Sequence, residues 1–253
     1  MTPDVITAAA GEISKVLSAV GALGTAAFGL VDASKGLGGG ISNAGFKSVR
    51  KAVEPLINVV RPGPAPAGSA TKDAPVFGPA DMLATLRANW LNGVAKADQK
   101  AIAKSLIRLG ISPATAPALA QRTGVGEAEL LTVAQNIATG KELTPEQLTV
   151  LGQFDAIVSA ILDEGYERGD QQYRNSSKLA AGLVAILLAA FGGAVLAKVA
   201  TVPEFFSFLF SGDGLLAIVV GAISTPLAPV VKDLTSALTT AVKSIGTLKT
   251  RSS

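Results

Sequence analysis

Residues Leu179 to Ala197, LAAGLVAILLAAFGGAVLA, run for nineteen positions without a charge between Lys178 and Lys198. At about 1.5 Å rise per residue the stretch makes roughly 28 Å of helix, close to the ~30 Å hydrocarbon thickness of a bilayer. A second uncharged run, GLLAIVVGAISTPLAPVV, lies between Asp213 and Lys232. Together they read as a transmembrane hairpin over 178–231. A helix apolar all round can also be the buried centre of a soluble bundle. The lysine at each end of the first run, and the similar run that follows, favour the membrane.

Composition agrees: mean hydropathy is +0.44 and charged residues make up 16%, against about 25% in an ordinary soluble domain. The apolar excess is alanine, glycine, leucine and valine, the residues of closely packed membrane helices. Cysteine and histidine are both absent from the 253 residues. Thiol nucleophiles, disulfides, Ser-His-Asp triads and zinc sites with nitrogen or sulfur ligands are therefore excluded. No carboxylate pair, metal cluster or activated nucleophile stands out, so we expect neither an enzyme nor a bound cofactor. The net charge of +3 is too small to argue for nucleic acid.

A shorter apolar run, VLSAVGALGTAAFGLV from Val16 to Val31, is bounded by Lys15 and Asp32. Sixteen residues cross a bilayer only if the flanks reach into the interface, as Lys35 can by snorkelling. The residues before Lys15 carry Asp4 and Glu12 but no cation, unlike a cleaved signal. We expect a retained helix, with an amphipathic or re-entrant segment as the alternative. Lys47, Arg50, Lys51 and Arg61 follow this run, Arg168, Arg174 and Lys178 lead into the second, and Lys232, Lys243, Lys249 and Arg251 follow the third. The positive-inside rule then predicts a multi-pass protein of the cell inner membrane. Its middle domain and C-terminus are cytoplasmic, and its N-terminus and the loop from Lys198 to Asp213 lie outside.

Each run carries small residues four apart, on one helix face. These are Gly21, Thr25 and Gly29; Ala181, Ala185, Ala189, Gly193 and Ala197; and Ala217, Gly221 and Thr225. Such stripes let backbones approach, which in lipid drives association. They predict a homo-oligomer, unless they serve only to join the three helices of one protomer. Pro226 and Pro229 predict a kink in the third run and a candidate gate. The run GLGGGISNAG, Gly36 to Gly45, lacks the lysine-serine ending of a phosphate loop and reads as a turn closing an N-terminal segment at 1–45.

Residues 46–60 follow, with Val49, Val53, Leu56 and Val60 on one face and Lys47, Arg50 and Lys51 elsewhere. This amphipathic helix suits either anionic headgroups at the inner leaflet or the surface of a soluble domain. A Pro-, Gly- and Ala-rich linker spans 61–79. From 80 to 177 the pattern is that of a small all-α domain ending in a polar stalk. Leu83, Leu86, Trp90 and Val94 share a face, and Ile102, Leu106 and Leu109 continue it. Ser112-Pro113 and Thr144-Pro145-Glu146-Gln147 are helix starts.

Within this domain LAQRTGVGEAEL resembles the helix-turn-helix of Cro-type DNA-binding domains. Ala120, Gly124 and Leu130 stand at the small, turn and apolar positions, with Leu119 and Val125 also fitting. The resemblance extends no further than Leu151, even with Leu143 to Leu151 counted as a following helix. The helix that would read DNA opens with Glu127 and Glu129 and has no cation before Lys141. It reads as a structural corner, without a nucleic-acid partner.

Leu148, Leu151, Phe154, Val158, Ile161 and Leu162 form an apolar stripe, after which DEGYERGDQQYRNSSK is almost wholly polar. One helix is expected to run from Pro145 into the second span. Its Asp163, Glu164, Glu167 and Asp170, with Arg168 and Arg174, could line a vestibule between protomers or form a solvated, salt-bridged connector. Tyr166 and Tyr173 share a face and are placed to anchor stalk-to-stalk contacts. PEFFSFLFSG, Pro203 to Gly212, carries four phenylalanines that fit the interface zone or a shallow re-entrant segment. The tail at 232–253 has Leu234, Leu238, Val242, Ile245 and Leu248 on one face, fit for the inner leaflet or the cytoplasmic domain.

The expected protein is thus an all-α integral membrane protein, with three transmembrane helices and a small cytoplasmic helical domain. Its expected partners are the lipid bilayer, further copies of itself and an unidentified protein. A scaffold or interaction role leads. A passive pore is second, since Ser18, Thr25, Ser224 and Thr225 are the only hydroxyls in the spans. A membrane-tethered regulator is third.

Overall fold

The computed structural model describes residues 3–60 and 78–251. The linker read at 61–79 lies outside them except for Gly78 and Pro79, as do the side chains that would form the tail's apolar face. Among the described residues every regular element is a helix. In chain order these are α1 (Pro3–Ala33), α2 (Ser42–Ile57), α3 (Pro79–Leu91), α4 (Lys96–Leu109), α5 (Ala116–Thr123), α6 (Glu127–Ala138), α7 (Pro145–Leu196), α8 (Val202–Leu209) and α9 (Gly212–Arg251). Three stretches, Gly11–Gly36, Pro145–Leu196 and Gly212–Val231, are long and apolar enough to cross a membrane.

The chain divides into two compact units, Met1–Ile41 with Asn175–Ser253, and Ser42–Arg174. In the first unit α1, α9 and the last part of α7 pack through small residues. Ala27 and Val31 of α1 meet Ala181 and Ala185 of α7 in one buried cluster, with Phe28, Ile41, Val184 and Leu188 around it. With little side chain between them the backbones come close, so dispersion contacts hold the bundle. α8 is a short helix started by a capping box: Thr201 Oγ1 accepts from the Glu204 amide at 3.4 Å, and the Glu204 carboxylate accepts from the Thr201 amide at 3.2 Å.

The glycine run departs in its bounds from the turn expected over Gly36 to Gly45. A 3₁₀ turn at Ser34–Gly36 leads into Gly38, Gly39 and Gly40 at φ +77°, +100° and +44°, angles that residues with a Cβ rarely adopt. Helix α2 then starts at Ser42, so Gly45 is helical and does not belong to the turn.

The second unit holds α2 to α6 and the first part of α7 around one core. Val49, Val53, Leu56 and Ile57 of α2 are at most 2% exposed, and pack with Met82, Leu86, Ala103, Ile107, Leu119, Leu130, Phe154, Val158 and Tyr166. The apolar face of α2 is therefore covered by its own domain, which decides between the two surroundings that face suited. Two readings of the helical faces are corrected. Leu109 is 74% and Leu148 55% exposed, while the buried line of α4 is Gln99, Ala103 and Ile107. Its inward face thus starts two positions away from Leu109.

Candidate functional site

The small residues named as packing positions fall into two groups. A Cβ added to Gly21 would stand 2.6 Å from Val231 Cγ1, and one on Gly24 would run into the Ser224 carbonyl oxygen. On Gly221 it would lie 2.5 Å from Ile186 Cα, and on Gly193 3.0 Å from Phe208 Cζ and 3.2 Å from Ala217 Cβ. Ala181 and Ala185 are fully buried. These positions close helix on helix within one protomer. Gly29 has nothing within 4 Å of its added Cβ, and Thr25, Gly29 and Ala197 are exposed while Ala189 is half-buried. Gly24 and Gly192 did not stand out in the sequence: the first is consumed at α9, and the second has open space.

The hydroxyls do not form a line through this unit. Ser224 is 0% exposed and donates to the Gly221 carbonyl at 2.8 Å, while Thr25 donates to the Gly21 carbonyl at 2.9 Å from an exposed position. Helix α9 continues through Pro226 and Pro229, and both rings are exposed.

Three acidic residues of the polar stretch, Asp163, Glu167 and Asp170, are held by α4. Lys96 Nζ donates to both Glu167 carboxylate oxygens at 2.9 Å and lies 3.4 Å from Asp170. Lys100 pairs with Asp163 at 2.5 Å. Along α7, Arg168 pairs with Glu164 at 2.5 Å and Arg174 with Asp170 at 3.0 Å. The Arg174 hydrogen bond, with further help from Lys96, draws the Asp170 carboxyl below its ordinary value. The Glu167 carboxylate, followed by Asp170, raises Lys96 above its own. The set proposed for a vestibule is thus tied into ion pairs inside one domain.

The inner face of that polar stretch is not polar at all. Gly165, Tyr166 and Gly169 are buried, and the Trp90 ring lies 6.3 Å from that of Tyr166 and 6.5 Å edge-on from that of Tyr173. Tyr166 is 0% exposed, and burial pushes its phenol up to about 12. The tyrosines therefore pack on α3 instead of waiting for a second stalk, a correction that follows from the room two glycines leave.

The α5–α6 corner forms as read. Gly124 takes φ +72° at the end of α5, and Leu119, Ala120, Val125 and Leu130 are buried. Glu127 and Glu129 occupy the first turn of α6.

One feature escaped sequence reasoning because its parts are far apart in the chain. Arg122, in the last turn of α5, joins Lys47, Arg50, Lys51, Glu54 and Asn58 of α2 and the turn after it around an open groove of about 580 Å³. Comparison with protein-family models, curated proteins and solved structures finds no match to this chain. Fold and sites therefore define the class alone: among the described residues, a helical protein with three helices long and apolar enough to cross a membrane.

Proposed function

We propose that the chain is a multi-pass scaffold of the cell inner membrane. In this reading three apolar helices anchor and self-associate, and the Ser42–Arg174 unit faces the cytoplasm as an interaction module for a protein partner. The observation that carries the reading is how the hydroxyl and small residues of the apolar unit are used. Ser224 hydrogen-bonds to its own helix in full burial, and Gly21, Gly24 and Gly221 admit neighbouring helices. Among the described residues this use of Ser224 and the glycines argues against a polar line for conduction within a protomer. Gly29 and Gly192, with open space above them, are where a second copy can approach closely.

DNA reading is not proposed, because two carboxylates open α6 where phosphates would lie. Native mass spectrometry of the detergent-solubilised full chain, beside ion flux in proteoliposomes, tests the scaffold reading. It predicts an oligomer that loses protomers in Gly29→Leu or Gly192→Leu, with no flux above empty vesicles. A monomeric wild type would overturn self-association, and flux through the wild type would replace the scaffold with a pore.

A further inference from the structure

We infer that the groove between α2 and the end of α5 is a binding site for a phosphate-bearing anion, the chemistry shared by an acidic phospholipid headgroup and a soluble phosphorylated small molecule. The site itself does not depend on the scaffold reading, whereas its lipid source rests on the membrane placement that reading proposes.

Charge is the first argument. The groove gathers Lys47, Arg50, Lys51 and Arg122 against the single carboxylate of Glu54. That local excess equals the net +3 of the whole chain, so outside the groove the charges cancel. Glu54 is already engaged: Arg50 donates to it through Nε at 3.0 Å and Nη2 at 3.1 Å, and this pairing draws its carboxyl below the ordinary range. Lys47, Lys51 and Arg122 take part in no ion pair among the described residues. Asp163, Glu164, Glu167 and Asp170 of α7, by contrast, are matched by Lys96, Lys100, Arg168 and Arg174.

Geometry is the second. Arg122 is brought to α2 by α5, whose Ala116, Leu119 and Ala120 pack in the same core, and α2 is fixed from below by its buried face of Val49, Val53, Leu56 and Ile57. The cations are thus carried on rigid helices. A volume of about 580 Å³ falls in the range of small-ligand sites, roughly 300–1,000 Å³. Arg122 offers a fork-shaped donor matched to phosphate oxygens, and Lys47 and Lys51 supply compact charge, while Arg50 stays forked onto Glu54. Asn58 adds an amide at the rim. Position in the chain bears on the source. Lys47, Arg50 and Lys51 follow Ile41, the last residue of the N-terminal part of the apolar unit, by only six to ten positions. Cations so close to a membrane segment act within the field of an anionic leaflet.

The test uses the full chain in mild detergent. Native mass spectrometry follows uptake of phosphatidylglycerol against phosphatidylcholine, and calorimetry follows inorganic pyrophosphate. The variants are Lys47→Gln/Lys51→Gln, Arg122→Gln, and the charge-matched control Lys104→Gln/Lys141→Gln, each checked for an unchanged Trp90 emission spectrum. We expect binding of one or both probes to fall about tenfold in the first variant and several-fold in the second, with the control unchanged. Uptake of phosphatidylglycerol alone assigns a headgroup, and pyrophosphate binding assigns a soluble ligand. Equal losses in the control, binding of neither probe, or displacement of both by duplex DNA at lower concentration would overturn the site.

Discussion

Gly45 and Gly169 lie backbone to backbone: a Cβ on Gly45 would stand 2.6 Å from the Gly169 carbonyl oxygen, and one on Gly169 would stand 2.9 Å from the Gly45 carbonyl oxygen. The same added atoms would meet the Trp90 ring, at 2.6 Å and 3.4 Å respectively. One turn earlier on α7, an added Cβ on Gly165 would run into Ala52. The Gly165–Gly169 pair therefore lets α2 lie directly on α7, and it puts Tyr166 in the core.

Gly169→Leu should destabilise this domain by about 1–3 kcal/mol, because the added atoms cannot be placed without moving α2 or Trp90. Gly152→Ala, on the same helix with nothing within 4 Å of its added Cβ, should stabilise it by about 0.5–1 kcal/mol. Trp90 is the only tryptophan, so its fluorescence during denaturant titration of the full chain reads both changes at the contact itself.

In the apolar unit, Gly24→Leu should prevent α1 from seating on α9, since even a Cβ meets the Ser224 carbonyl. Gly29→Leu should leave the protomer's thermal unfolding in detergent near that of the wild type. A ranking reversed between the two would refute the assignment of Gly24, and not Gly29, to the internal seam.

Tyr166 should ionise only near pH 12. The folded state keeps the phenol neutral while the unfolded chain releases its proton near 10. The stabilisation is full below pH 10 and is lost as pH rises towards 12. Absorbance at the tyrosinate band should show this late step in the wild type and lose it in Tyr166→Phe.

Gly124→Ala isolates a backbone effect. The residue sits at φ +72° with open space around its added Cβ, so the cost is the left-handed conformation alone, about 1–2 kcal/mol. Asn at this position should recover part of it, and chemical denaturation followed at Trp90 measures both.

The long apolar runs, the Gly124 corner and the Thr144 helix start were legible because each is written in a few adjacent residues, whereas α5 begins at Ala116 and not at Pro113, and the Thr201 cap of α8 did not stand out in the sequence. The packing phase was not legible. A four-residue step drifts by about 40° on a helix of 3.6 residues per turn, so the line from Gly21 through Thr25 leaves the seam before Gly29. The seam itself runs through Gly21, Gly24, Ala27 and Val31, in steps of three and four. The same drift takes Ala197 to the surface while Ala190 and Ala194 are buried. The inner face of 163–173 escaped because glycine and tyrosine carry no apolar signature in a polar stretch. The basic groove escaped because Arg122 reaches α2 only through the fold.

The proposed topology has three membrane crossings, with the Ser42–Arg174 unit and the α8 segment on opposite sides. Since the chain contains no cysteine, single substitutions at the exposed positions Ser105 and Ser207 carry no labelling background. The decisive measurement is reaction of Ser105→Cys and Ser207→Cys with a membrane-impermeant maleimide in spheroplasts. The account predicts that Ser207→Cys is labelled at once and Ser105→Cys only after the membrane is permeabilised. Immediate labelling of Ser105→Cys, or equal labelling of the two, would contradict it.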